Sequence, residues 1–338
     1  MARIRVSGAP GQGTDMGSTT GGASVDGMKK AVIALLNRVP VFLIVAGEAV
    51  FMYAATLVAK LAFTQLDPLY AVWYRVGFTS LLLLAWRRPW RPERRRGLPR
   101  NVRDWAVVAV CGISIMLMNS MFYVAISNMN VGIAVAIEFI GPLSVAVIAG
   151  RSWRERVGIG VAAAGVALLA GMSLTQPSGD RFLIGLIAIL IGGSMWGVYI
   201  VMGRLVAARG NSLDNLSVGM LFGWLLQSLV LAVPAVRHTV HPKADATWAV
   251  GPRGTALLVG VLLVVAVCAS FMPYVIDQIV MRRTTSGAFS VMQSINPAVA
   301  VFIGLLFGEI PTVWDVIGVG LVIAAVIITF TGDTNPAK

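Results

Sequence analysis

A chain of 338 residues that is 57% hydrophobic and only 12% charged can bury a large core, yet its apolar residues come in long unbroken runs rather than at amphipathic spacing. That pattern excludes an ordinary soluble domain and defines an all-α polytopic membrane protein. The net charge of +12 sits in the gaps between apolar runs, where Lys and Arg face lipid headgroups, so it is topological and no footprint of a nucleic-acid partner.

Residues 1–28 are rich in Gly, Ser and Thr and lack the apolar core and cleavage site of a signal peptide; residues 1–38 are expected to be a disordered cytoplasmic tail. With runs of ~17–25 apolar residues as the ruler, ten transmembrane helices are predicted. They lie at about 41–63, 68–86, 105–127, 131–150, 157–174, 183–204, 215–236, 253–275, 285–307 and 313–331, before a short tail at 333–338. Pro40 and Pro68 stand where a helix can begin without losing a hydrogen bond. If the N-terminus is cytoplasmic, the inner segments take most of the 27 Lys and Arg residues, including the run from Arg87 to Arg103. Only Arg181, Arg237, Lys243 and Arg253 fall on the outer side, so both termini are expected to be cytoplasmic. Trp86, Trp90, Trp105, Trp153, Trp248 and Trp314 stand at or near predicted span ends, as an interfacial belt requires.

The chain repeats itself. IEFIGPLSVAVIAG from Ile137 aligns with MQSINPAVAVFIGL from Met292 at a constant offset of 155, which sets Pro142 on Pro297 and Glu138 on Gln293. Two repeats, 39–176 and 177–332, then hold five spans each, and an odd number inverts the second half relative to the first. Inverted repeats of this kind characterise secondary transporters, which bind substrate between the halves near the bilayer midplane.

Glu138 is the residue that most needs explaining. It lies seven residues into the fourth span, roughly 10 Å deep at ~1.5 Å per residue. A charge there costs at least ~2.5–3.5 kcal/mol on insertion scales, so it must face protein or water. Ala134, Gly141 and Pro142 share its helical face, which can therefore approach another helix closely or open a cavity. Pro142 has no N–H for the carbonyl of Glu138, and Pro297 has none for that of Gln293, so two acceptor-rich points are expected near the midplane. Such points suit an ammonium group. Arg75, seven residues into the second span, offers a planar fork for a carboxylate, and Lys60 stands near the outer end of the first. The structural alternative is an internal Glu138–Arg75 or Glu138–Lys60 salt bridge.

Lesser candidates are Glu48, as a proton site or a residue solvated by an inner vestibule, and Asn119, Tyr123, Trp196 and Tyr199 as cavity lining. For these four, packing or interhelical hydrogen bonding is the competing role. Asp277, shortly before Arg282 and Arg283, is expected at the inner interface in a solvated ion pair. GIGVAAAG at 158–165 and GVGLVIAA at 318–325 are small-residue faces for close helix packing, within one subunit or across a homodimer.

Several motifs are absent. No G-x-x-x-x-G-K-[ST] phosphate loop occurs, and His238 and His241 lack the rest of a zinc set. Cys111 and Cys268 stand apart in apolar runs, so no disulfide, metal site or cofactor is expected. Without a catalytic constellation the chain is not expected to be an enzyme.

Five stretches resemble one transporter family: LVAK at 57–60, WYRVG at 73–77, FYVAISNMNVGIAVAIEFIGPLSVAV at 122–147, PYVIDQIVMRRTTSGAFSVMQSINPAVA at 273–300 and GEIPT at 308–312. Together they are similar to the EamA branch of the drug/metabolite transporter superfamily, and within it to the bacterial threonine/homoserine exporters. The resemblance runs from about 40 to 331, and GIAVAxEFxGPL is its most specific part. It implies a multi-pass antiporter of the bacterial cytoplasmic membrane that exports small neutral amino acids, with the proton as coupling ion. Lys60, Arg75 and Glu138 match charged positions of that pattern. Glu48, the long tail and Ser-Ile-Asn before Pro297 depart from it, which leaves the exact substrate open.

The expectation is alternating access: substrate enters from the cytoplasm between the halves, its amine held at Glu138 and the freed carbonyls, and protonation of Glu138 from outside releases it. An exporter of other metabolites or hydrophobic cations would need no carboxylate-binding Arg75. A non-transporting scaffold or sensor would have no reason to keep a midplane pair of helix-breaking prolines.

Overall fold

Helix ends fall where local chemistry sets them. Asp67 accepts from the Leu69 N–H at 2.9 Å and Pro68 follows as the first helical residue; at the far end of that helix Arg88 turns left-handed at φ 47°. Asn101 caps the next long helix through the Asp104 N–H at 2.8 Å. Thr312 and Asp315 form a reciprocal box, with Thr312 N–H to Asp315 at 2.9 Å and Asp315 N–H to Thr312 Oγ1 at 3.2 Å.

The structure, a computed structural model, describes residues 41–95, 97–149, 153–174, 179–208, 211–240, 251–283 and 286–330. The tails expected at 1–38 and 333–338, and His241, lie outside the described residues. In chain order the helices are α1 (Val41–Ala62), α2 (Pro68–Arg87), the single turn α3 (Pro92–Arg95), α4 (Val102–Ile126), α5 (Val131–Glu138), α6 (Ile140–Ala149) and α7 (Trp153–Leu174). There follow α8 (Gly179–Ala207), α9 (Ser212–Val240), α10 (Gly251–Ala266), α11 (Met272–Arg283), α12 (Ser286–Met292), α13 (Asn296–Leu306) and α14 (Val313–Phe330). No strand occurs among the described residues. Val45–Lys338 is one compact unit; of the other, Met1–Ile44, only the first residues of α1 are described.

Among the described residues, six segments are long and apolar enough to cross a membrane: Leu43–Ala62, Pro68–Arg87, Val102–Ile126, Gly179–Ala207, Ser212–Val240 and Gly251–Arg282. Shorter apolar helices cover Val131–Val145, Arg156–Gly165, Asn296–Leu306 and Val313–Ala325. Their outward faces are apolar. On α9, Leu229, Val230 and Val233 are 82%, 74% and 79% exposed, a surface that water would not tolerate and lipid does.

Inside, α8 packs along α4, α9 along α2 and α4, and α5 against α13. The small-residue faces at 158–165 and 318–325 meet each other, because α7 packs on α14 and Gly165 lies against Gly318 and Leu321. Within the chain, close packing is therefore their role.

Among the described residues three of the apolar runs are interrupted, each beside a proline. The fourth predicted span breaks at Phe139, between α5 and α6, three residues before Pro142. The ninth tightens into a 3₁₀ turn at Gln293–Ile295, ahead of Pro297. The eighth widens into a π-helical turn at Val267–Phe271, just before Pro273, where the Met272 N–H reaches back to the Val267 carbonyl.

Candidate functional site

The breaks surround a cavity of about 70 Å³. Its wall takes Glu48, Tyr53 and Thr56 from α1, Arg75 from α2, Asn119 from α4 and Glu138 from α5. Trp196 and Tyr199 come from α8, Tyr274 and Asp277 from α11, Gln293 from the 3₁₀ turn and Asn296 from α13. Seven of the residues expected to bind or line are thus brought together: Glu48, Arg75, Asn119, Glu138, Trp196, Tyr199 and Gln293. The space is walled by both polar and apolar groups, as a small-ligand site is.

Arg75 is only 4% exposed. Its Nε donates to Ser270 Oγ at 2.6 Å, its Nη2 donates to the Ala269 carbonyl, and its guanidinium lies over the Tyr123 ring, 5.1 Å from the centroid. The Ala269 carbonyl is available because Pro273, four residues on, has no N–H to give it. Nη1 is buried without a hydrogen-bond partner among the described residues. Two arms of the fork anchor it, and the third is left for something inside the cavity. Tyr123, expected as lining, instead serves as the platform under the guanidinium.

Glu138 is 6% exposed and forms no ion pair within 4 Å among the described residues, though Arg75 acts on it electrostatically. The internal Glu138–Arg75 bridge is therefore not formed. The carbonyl that Pro142 frees does not open freely to the cavity. Gly193 of α8 lies against it, so close that a Cβ there would sit 2.6 Å from the Glu138 oxygen, and a Cβ on Gly141 would run into the Gly193 carbonyl. This is the close approach expected of the small-residue face of α5. Gly193→Ala is expected to cost about 1–3 kcal/mol through that clash, read as a lower thermal midpoint in detergent, whereas Gly160→Ala, with open space around it, serves as the neutral control.

Gln293 corrects the expectation of a second free carbonyl. The 3₁₀ turn lets the Asn296 N–H take the Gln293 carbonyl, the usual way a tightened turn satisfies an orphan acceptor. Its side chain is bonded too, receiving Asn296 Nδ2 at 3.0 Å and giving Nε2 to Asp277 Oδ1 at 3.0 Å.

Asp277 is the residue that sequence reasoning misplaced. It is not at a solvated interface but 6% exposed in the cavity wall, holding Gln293 on one oxygen and the Tyr199 hydroxyl on the other at 3.1 Å. Helix α11 carries Arg282 and Arg283 more than a turn beyond it, so proximity in sequence did not mean equal depth. A polar chain thus runs from Tyr199 through Asp277 and Gln293 to Asn296. Separately, Asn119 Nδ2 donates to Tyr274 Oη at 2.6 Å, and the Tyr274 ring packs edge-on against Tyr199.

Lys60 lies elsewhere. Its Nζ pairs with Glu309 Oε1 at 2.6 Å, while Glu309 Oε2 accepts the Val131 N–H at 2.8 Å and so caps α5, whose own cap residue Asn130 makes no side-chain bond. One carboxylate from the α13–α14 connection ties together the end of α1 and the start of α5.

An apolar-surfaced helical bundle around a buried, charged cavity, entered by broken helices, is the architecture of a membrane transporter. The family model for the EamA-like transporter family matches residues 39–175 and 183–331, and the chain belongs to that family. The threonine/homoserine exporter RhtA of Escherichia coli K12 is 30% identical over 254 residues, 74% of this chain and 78% of the relative. RhtA of Salmonella typhimurium SL1344 matches to the same extent. An uncharacterized transporter of Archaeoglobus fulgidus is 23% identical over 297 residues, 85% of this chain and 93% of its own. A solved structure at 15% identity superposes with a TM-score of 0.54 over 85% of this chain and 96% of its own, which supports the fold. The chain is a multi-pass inner-membrane protein like these exporters.

Proposed function

We propose that the protein exports small neutral amino acids of the threonine/homoserine type by alternating access, exchanging them for protons across ten passes with both termini cytoplasmic. The observation that carries this reading is the unpartnered Arg75 Nη1 in the same small cavity as the unpaired carboxylate of Glu138. A zwitterion answers both: its carboxylate takes the free arm of Arg75 and its amine meets Glu138. The two groups come from α2 and α5, while Trp196, Tyr199 and Gln293 close the far wall from the second half, so substrate would sit between the inverted repeats. The names of the RhtA relatives supply the substrate class.

Counterflow of labelled threonine into proteoliposomes tests the zwitterion directly. Threonine should compete fully, whereas threoninol, which lacks the carboxylate, and 3-hydroxybutyrate, which lacks the amine, should each compete at least tenfold more weakly. Full competition by the amine alone would support the exporter of hydrophobic cations instead.

Lys60 and Glu309 take a gating role in this account. Their pair joins α1 to the α13–α14 connection at the outer end, so opening outward must separate them. The pair is partly exposed, with side chains 27% and 14% accessible, and is worth about 0.5–1 kcal/mol. Lys60→Met is expected to raise outward opening about 2–5-fold. Labelling of Thr56→Cys by a membrane-impermeant thiol reagent, in a background free of Cys111 and Cys268, measures it; an unchanged rate would remove Lys60 from the gate.

A further inference from the structure

We infer that Glu48 and Asp277 form the proton-carrying site of this transporter, separate from the Arg75–Glu138 pair that holds the substrate. The inference rests on the amino-acid exporter reading and assigns the coupling ion a place within the same cavity.

Charge balance is the first ground. The cavity wall carries three carboxylates, Glu48, Glu138 and Asp277, and one cation among the described residues, Arg75. In the substrate-free cavity Arg75 offsets one of the three carboxylates, so the other two are uncompensated in a space of about 70 Å³, and this is the leg on which an antiported proton is carried. Buried charge of that kind is not sustained without a counter-ion or a proton.

Geometry supplies the second ground. Asp277 is held by two neutral donors, Tyr199 and Gln293, which fix its orientation without cancelling its charge. Glu48 is 8% exposed, and its Oε2 is buried with no hydrogen-bond partner among the described residues. The Asp277 charge acts on Glu48 across the cavity. The other titratable groups around the pair are Tyr53 of α1, Arg75, Glu138, Tyr199 and Tyr274, none of which is a cation except Arg75. A proton on either carboxyl removes the repulsion between them.

The pair also straddles the two halves, Glu48 on α1 and Asp277 on α11. Two like charges push these helices apart and a proton on one of them removes that push, so proton occupancy biases which side of the cavity opens. In the outward-open state water delivers a proton and an O–H bond forms on one carboxyl. In the inward-open state that bond breaks and the proton passes to cytoplasmic water, as substrate moves the other way. Asp277 is linked through Gln293 to the 3₁₀ turn at Pro297, which places the proton next to a break in the helix.

The test uses the full-length protein in proteoliposomes, comparing wild type with Asp277→Asn and Glu48→Gln in two assays: threonine/threonine exchange at equal pH, and accumulation driven by a pH gradient with a trapped pH dye reporting proton flux. Each variant should keep exchange within about threefold and lose gradient-driven accumulation and substrate-coupled proton flux by at least about tenfold. Gradient-driven accumulation that survives in both variants, or exchange lost together with it, would overturn the assignment. If Asp277→Asn fails to reach the membrane, Glu48→Gln carries the decision alone. Wild type that exchanges no threonine would defeat the exporter reading, and this inference with it, before any variant is compared. Accumulation driven by a sodium gradient instead would overturn the proton site while leaving the exporter intact.

Discussion

Arg75→Lys is expected to weaken substrate binding by about 2–5 kcal/mol, a loss of roughly 30-fold or more, although the positive charge is kept. The reason is the division of labour on the guanidinium. Nε is committed to Ser270 and Nη2 to the Ala269 carbonyl, leaving Nη1 for the ligand. An ammonium on a flexible stem can satisfy the Ala269 carbonyl or a substrate carboxylate but cannot hold the fixed fork that serves both. Arg75→Ala goes further, since it strips the neighbouring cation from Glu138 and the ring contact from Tyr123. Ser270→Ala provides the internal control: it loosens one anchor without touching the arm that faces the cavity and should cost at most about tenfold. Equilibrium binding of threonine to detergent-solubilised protein checks the series. Equal affinity in wild type and Arg75→Lys would mean the substrate presents no carboxylate to this site, as a hydrophobic cation would not.

Glu138→Gln is the second large effect. The amide is nearly isosteric, and the close packing of Gly193 and Gly141 against the α5–α6 break involves the backbone of Glu138 and not its carboxyl, so the variant should fold and insert normally. It cannot be the counter-ion of an ammonium. Export is expected to fall at least about 30-fold, in line with the ~2–5 kcal/mol lost when one partner of a buried charge pair is removed, with expression and thermal midpoint near wild type. A variant that misfolds would instead mark Glu138 as structural.

The sequence displayed these two residues because an ionisable group inside an apolar run is conspicuous and expensive. It displayed the helix breaks for a similar reason: Pro142 and Pro297 announce a lost hydrogen bond four residues earlier. What happens to the freed acceptor is decided by the neighbours. Pro142 exposes a carbonyl that Gly193 covers from α8, Pro297 exposes one that a 3₁₀ turn reclaims, and Pro273 exposes one that Arg75 takes. The same proline rule applied to FMPY at 271–274 points to the last of these, with its partner unnamed.

Asp277 and Lys60 were not legible for opposite reasons. Asp277 lies near two arginines along the chain, and only the course of α11 shows that they extend past it while it turns into the bundle. Lys60 matches Glu138 in expected depth, but its partner Glu309 is 249 residues away and no local pattern announces the contact. Long-range pairing of this sort is a property of the packed helices.

The most direct test of the central claim is efflux of radiolabelled threonine and homoserine from sealed proteoliposomes, with and without an imposed proton gradient, for wild type and Glu138→Gln. Wild type is expected to show gradient-dependent efflux that the variant loses although it is folded and inserted. Efflux that persists unimpaired in Glu138→Gln, or no wild-type flux of either amino acid from demonstrably sealed vesicles, would contradict it.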